Sequence, residues 1–120
     1  MKKVLICDDE SLILMSLSSA VRMLSGYPVE VHAVPTGGDA LDEARAQTFD
    51  LCFLDIRLPD VSGLDVMKEI RARSPGTVIV VISACEVTGE MMSLIAENEA
   101  RFIPKPFEIA QIQDALRAVA

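Results

Sequence analysis

Five short apolar runs, at residues 3–8, 29–35, 50–55, 77–83 and 101–104, alternate with longer segments of helical periodicity. Each run is rich in Val, Ile, Leu or Phe. Three are nearly continuous in apolar character, as expected of strands covered on both faces. Between them, Leu14, Leu17, Val21 and Leu24 recur at helical spacing. "TGGDALDEARA" opens with Thr36 and carries Asp39 three residues on, the pattern of a capping box. Its apolar face is Ala40, Leu41 and Ala44. Ser62 and Asp65 repeat the pattern before Leu64, Met67 and Ile70. The last segment reads as one stripe of Ile109, Ile112, Leu116 and Val119. A fourth helix, roughly 87–98, presents Met91, Leu94 and Ile95, with Gly89 weakening its first turn by roughly 1 kcal/mol relative to Ala. Strands that alternate with helices predict an α/β fold, a single doubly wound (βα)5 domain on a five-stranded parallel sheet. Right-handed crossovers then place helices on both faces.

The 120 residues suffice for one domain, and 51% hydrophobic residues support a sizeable core. A net charge of -7 argues against direct binding to a nucleic-acid backbone; a metal cation or a basic protein face is the more natural neighbour. Cys7, Cys52 and Cys85 show no pairing pattern and no CxxC, which suits reduced thiols in the cytoplasm. No stretch approaches the roughly 18 apolar residues of a membrane span. Acids interrupt the first apolar run too early for a signal peptide.

The runs end on chemistry. "VLICDD" stops on Asp8 and Asp9, "LCFLD" on Asp55, and "VISACEV" on Ser83, Ala84 and Cys85, while "RFIPKP" delivers Lys105 between two prolines. In a parallel sheet the C-terminal strand ends share one rim, where ligands bind. Three carboxylates gathered there repel one another unless one is protonated or a cation joins them. Carboxylate oxygens and water suit a hard ion such as Mg²⁺. Asp55 is then a candidate nucleophile for an aspartyl-phosphate. Lys105 and the Ser83 hydroxyl are candidates to hold phosphoryl oxygens.

These motifs, in this order and spacing, resemble the receiver domain of two-component response regulators over essentially residues 1–120. The features are "DD" after the first strand, "LDIRLPDVSG" around Asp55, "ISA" after the fourth strand and "KPF" after the fifth. The resemblance implies a flavodoxin-like strand order, 2-1-3-4-5. It implies Mg²⁺-dependent transfer of a phosphoryl group to Asp55 from a sensor histidine kinase or a phosphotransfer protein. A signalling domain of this kind catalyses its own phosphorylation and dephosphorylation. Asp9 and Asp55 would hold the metal directly, Asp8 mostly through water, and the Arg57 backbone carbonyl would complete the set. Ser83 would be the switch hydroxyl, Phe102 the aromatic switch residue and Lys105 the lysine of the family pattern, followed by a cis bond to Pro106. The face formed by the fourth helix, fifth strand and fifth helix would change on phosphorylation and serve a homodimer or a target. Within these 120 residues there is no output domain, so the chain is expected to be either a stand-alone receiver or part of a longer regulator with a covalently linked output domain.

Other readings fit less well. A phosphatase with a "DxD" nucleophile would need an acid where Arg57 stands. A flavodoxin-like cofactor binder would not need the acidic cluster. The intact set of Asp8, Asp9, Asp55, Ser83 and Lys105 argues against a degenerate receiver that only binds proteins, while a carrier within a phosphorelay is the other alternative. His32 falls in the second strand, away from the rim, in a structural or surface role. Pro59, Asp60 and Gly63 read as turn chemistry. Gly37 and Gly38 lack the lysine of a P-loop.

Overall fold

The computed structural model describes residues 1–119; Ala120, the last residue of the expected domain, lies outside the described residues. The elements are β1 (Lys2–Cys7), α1 (Ser11–Leu24), β2 (Val29–Val34), α2 (Gly37–Ala46), β3 (Leu51–Asp55), α3 (Gly63–Arg73), β4 (Val78–Ser83), α4 (Gly89–Glu97), β5 (Arg101–Pro104) and α5 (Ile109–Arg117). All strand pairs are parallel, in the order β2-β1-β3-β4-β5. The expected (βα)5 architecture and strand order are both present.

Side-chain alternation along the central strands divides the core into two layers. Val4 and Ile6 of β1 and Leu51 and Phe53 of β3 face α1 and α5, where they meet Leu17, Val21, Ile112 and Leu116. Leu5, Cys7, Cys52 and Leu54 face the other way, toward Ala40 of α2, Met67 and Ile70 of α3 and Ile95 of α4. Both faces of β1 and β3 are therefore buried, which explains their unbroken apolar sequence. β2 is an edge strand and only half-buried. Its His32 lies between Glu30 and Glu43, at 2.7 and 3.1 Å, far from the rim as expected.

Local signals set the helix starts. The Thr36 hydroxyl accepts the Asp39 amide at 3.1 Å, and Thr88 accepts that of Met91 at 3.2 Å. Ser62 accepts the amide of Leu64, one residue earlier than its spacing to Asp65 suggested. At α5 the Glu108 amide donates to the Gln111 side chain at 2.8 Å. The stripe expected on the last helix needs one correction. Ile109 is 63% exposed, and Phe107 from the preceding loop packs against the core instead. Ile109 is the first residue of α5, so its side chain points back past the helix start rather than onto the sheet.

Among the described residues, no helix is long and apolar enough to cross a membrane.

Candidate functional site

Parallel pairing carries the strand ends to one rim, and the ladder continues one residue beyond the strands. The Asp8 amide donates to the Val34 carbonyl at 3.2 Å, and the Lys105 amide donates to the Ser83 carbonyl at 2.8 Å. On the other side of β1, Cys7 pairs with Leu54 of β3, so Asp8 comes beside Asp55, and Lys105 reaches back toward both. The Lys105–Pro106 peptide bond is cis.

The Lys105 side chain is buried, with its ammonium among three carboxylates. It lies 2.7 Å from Asp8 Oδ2, 3.0 Å from Asp55 Oδ2 and 3.4 Å from Glu10 Oε1. Burial alone would lower its pKa, but the bonds to Asp8 and Asp55 outweigh that effect and hold it above its ordinary value. The second Asp8 oxygen accepts the Glu10 amide at 2.8 Å, and Asp55 Oδ1 accepts the Arg57 amide at 3.2 Å. Asp9 is exposed, yet its carboxylate joins those of Asp8 and Asp55: one oxygen from each lies within 4.8 Å of the others.

Ser83 is buried at the end of β4, but its hydroxyl is turned into its own loop. It donates to the Cys85 carbonyl at 3.3 Å and accepts the Cys85 amide at 3.1 Å. Phe102 is half-buried and packs with the core layer that contains Ile95 of α4. The structure thus brings together Asp8, Asp9, Asp55 and Lys105. It places Ser83 at the wall of the site and Phe102 outside it. The Arg57 side chain is exposed, and its backbone is what meets Asp55.

A cleft of about 200 Å³ opens over these groups, lined by Asp9, Glu10, Asp55, Arg57, Ser83, Ala84, Cys85 and Lys105. A larger, open cleft of about 500 Å³, lined by Met1, Lys2, Tyr27, Pro28 and Asp50, lies at the opposite end of the sheet and lacks such a cluster. The three cysteines are free. Burial and the nearby Asp8 charge push the Cys7 thiol up to about 12, which leaves it unreactive.

Two residues of the site carry little signal in the sequence. Glu10 follows the acidic pair directly but reaches Lys105 only in the fold. Gly63 is more than turn chemistry, because a Cβ there would lie 1.9 Å from the Asp55 carbonyl oxygen. Glycine is the residue that lets α3 start against the back of the Asp55 peptide.

The donor set suits a hard divalent cation: oxygens only, one of them exposed to solvent. Asp8 Oδ2 is fully buried and, although the ammonium is close, accepts no well-directed hydrogen bond. Burial raises the Asp55 pKa above its ordinary 3.8; Lys105 opposes this and Asp8 reinforces it. At Asp55 the folded protein therefore binds more protons than the unfolded chain from pH 3.8 upward to the raised value. Its stability contribution is full below that window and is lost as pH rises through it. Urea denaturation in chelator across this range should show the Asp55→Asn variant with the flatter pH dependence. Equal slopes would contradict this assignment.

The model of the response regulator receiver domain matches residues 4–117. The chain is 31% identical over 116 residues to the probable transcriptional regulatory protein TcrX of Mycobacterium tuberculosis, covering 97% of this chain and 48% of that protein. It is 31% identical over 119 residues to the chemotaxis protein CheY of Thermotoga maritima, covering 99% and 98%. The chain thus spans about half of one relative and nearly all of the other. Among solved structures, the BeF3-activated DrrB receiver domain superposes with a TM-score of 0.82 at 25% identity, covering 99% of this chain and 97% of that one.

Proposed function

This chain belongs to the response regulator receiver domain family, and from that premise we propose that Asp55 is its phosphoacceptor, Lys105 and Ser83 hold the phosphoryl oxygens, and Mg²⁺ is its cofactor. At the level of the family, the domain is a phosphoacceptor and signal switch that catalyses its own phosphorylation and dephosphorylation. Membership also implies a histidine kinase or phosphotransfer protein as its phosphodonor. The observation that carries the assignment is the Asp55 carboxylate at the end of β3, 3.0 Å from the Lys105 ammonium and clustered with Asp8 and Asp9.

In the transfer, a bond forms between an Asp55 oxygen and phosphorus while the phosphorus–nitrogen bond to the donor imidazole breaks, the nitrogen keeping the electron pair. Asp9 and Asp55, the Arg57 carbonyl and, through water, Asp8 would hold the Mg²⁺. When bound, the ion neutralises charge on the phosphoryl oxygens. Lys105 already lies beside Asp55 and supplies a fixed positive charge without reorganisation. The cleft leaves Asp55 accessible while burying its base. A cytoplasmic setting fits the three free thiols.

The switch follows from Ser83 and Phe102. The Ser83 hydroxyl is bonded at Cys85, and a phosphoryl oxygen on Asp55 offers it a stronger, charged acceptor. Releasing Cys85 remodels the 84–88 loop that leads into α4, and Phe102 packs inward as Ser83 leaves. The phosphoryl group biases two states that differ by a few kcal/mol. The α4-β5-α5 face then docks a second copy of the chain or an output partner, either attached or separate.

The test is amide chemical-shift mapping with and without a beryllofluoride mimic of the phosphoryl group. Residues 84–98 and Phe102 are expected to shift together with Asp55. Shifts confined to the rim would leave a phosphoryl carrier without a conformational message.

A further inference from the structure

The loop between β3 and α3 is tied down at its base. The Ile56 amide donates to the Ile82 carbonyl at 3.1 Å, and the Gly63 amide donates to the Ile56 carbonyl at 2.9 Å. Its tip reaches α2. Asp60 Oδ1 accepts the Gly37 amide at 2.9 Å, and Oδ2 accepts the Gly38 amide at 2.8 Å; Val61 donates to Oδ1 as well, at 2.9 Å. The first N–H groups of a helix have no intrahelical partner. Thr36 satisfies Asp39, and Asp60 satisfies the two positions before it.

The two glycines fit this contact sterically. Neither adopts the left-handed conformation that favours glycine. A Cβ at Gly37 would lie 2.3 Å from Val61 Cγ2 and 3.2 Å from Asp60 Oδ1, and one at Gly38 would lie 3.0 Å from Asp60 Oδ2. Removing both side chains lets the loop rest on the helix end closely enough for two short bonds.

Arg57 lies between the anchored base and the anchored tip. Its amide contacts Asp55 Oδ1 through one long bond of 3.2 Å, which by itself does little to fix the peptide plane. We propose that Asp60 is a positioning residue of the Asp55 site, clamping the loop to α2 so that the Arg57 N–H stays on Asp55 and the Arg57 carbonyl, in the following peptide unit, stays oriented toward the cation. This rests on the reading of Asp55, with Asp8, Asp9 and the Arg57 carbonyl, as a phosphoacceptor beside a divalent metal. Groups that orient ligands from behind are worth roughly 10–100-fold in metal affinity or activity.

The experiment uses the 120-residue chain with Asp60→Ala and Asp60→Asn. Solvent exchange and chemical shifts of the Gly37, Gly38 and Arg57 amides are measured in chelator, followed by a titration with MgCl₂. In Asp60→Ala, the glycine amides should exchange roughly tenfold faster and the Arg57 amide should shift before any metal is added. The Mg²⁺ dissociation constant should rise roughly tenfold, the low end of that range. Asp60→Asn keeps one acceptor oxygen and should recover part of both effects. Faster exchange at Gly37 and Gly38 with an unmoved Arg57 amide and unchanged Mg²⁺ affinity would overturn the proposal, because Asp60 would then be only a cap for α2. Unchanged glycine exchange would overturn it too. If the wild type binds no Mg²⁺, the metal reading fails; the clamp is then upheld or overturned by the Arg57 amide alone.

Discussion

Asp55→Asn is expected to remain unmodified when incubated with acetyl phosphate and Mg²⁺, while the wild type gains one phosphoryl group per chain and gains none in excess chelator. Asn occupies the same volume and can still accept the Arg57 amide, but it lacks the anionic oxygen that attacks phosphorus. Substitution therefore removes the chemistry with little change of shape. No other carboxylate shares this position. Asp8 is buried against Lys105 with one oxygen held by the Glu10 amide, and Asp9 stands further out in solvent. Intact-mass spectra decide the matter. Equal phosphorylation of the variant would move the acceptor away from Asp55.

Lys105→Met is expected to cost more stability than any other single change at the rim. The ammonium is the cation already shared by Asp8 and Asp55, and all three side chains are almost fully buried. Removing one partner of a buried ion pair costs about 3–5 kcal/mol, because the remaining charge is left uncompensated. Here two like charges remain, although protonation of one, favoured at Asp55 by its burial, limits the penalty. Urea denaturation in chelator should therefore show a large loss at neutral pH that shrinks on acidification. Mg²⁺ should stabilise the variant more than the wild type by taking over part of the ammonium's role. Adding Asp8→Asn to Lys105→Met should restore stability by removing the second charge. A Lys105→Met protein as stable as the wild type at neutral pH, with or without Mg²⁺, would show that the ion cluster contributes nothing to folding.

Much of this site is written in short segments of sequence. The termination of an apolar run on a carboxylate is local, and it marks the rim as soon as the strands are taken to be parallel. Asp8, Asp9, Asp55 and Lys105 could therefore be gathered before any coordinates. Asp60 illustrates the limit. "LPD" reads as a turn, and a turn it is, but the amides that donate to its carboxylate belong to a helix start 22 and 23 residues earlier. Gly37 and Gly38 follow the Thr36 cap with no local signal of their role, because the side chain that needs their missing Cβ atoms comes from a distant loop. Ile109 failed for a different reason. Helical periodicity specifies a face but not where the helix begins, and at the first residue of α5 the stripe has no core beneath it.

By itself the sequence determined the strands, the five helices, most of the faces they bury and the residue types offered at each strand end. These depend on alternation, helical period and capping, which act over a few residues. Tertiary structure alone decided that the Lys105 ammonium sits between Asp8 and Asp55, 50 residues from the latter, and that Glu10 joins them. It also decided that the Ser83 hydroxyl turns to Cys85 and that Asp60 closes on α2. The physical reason is that hydrogen bonds and ion pairs are set by distances of a few ångströms and by direction, and the packing of the whole sheet and its helices fixes both.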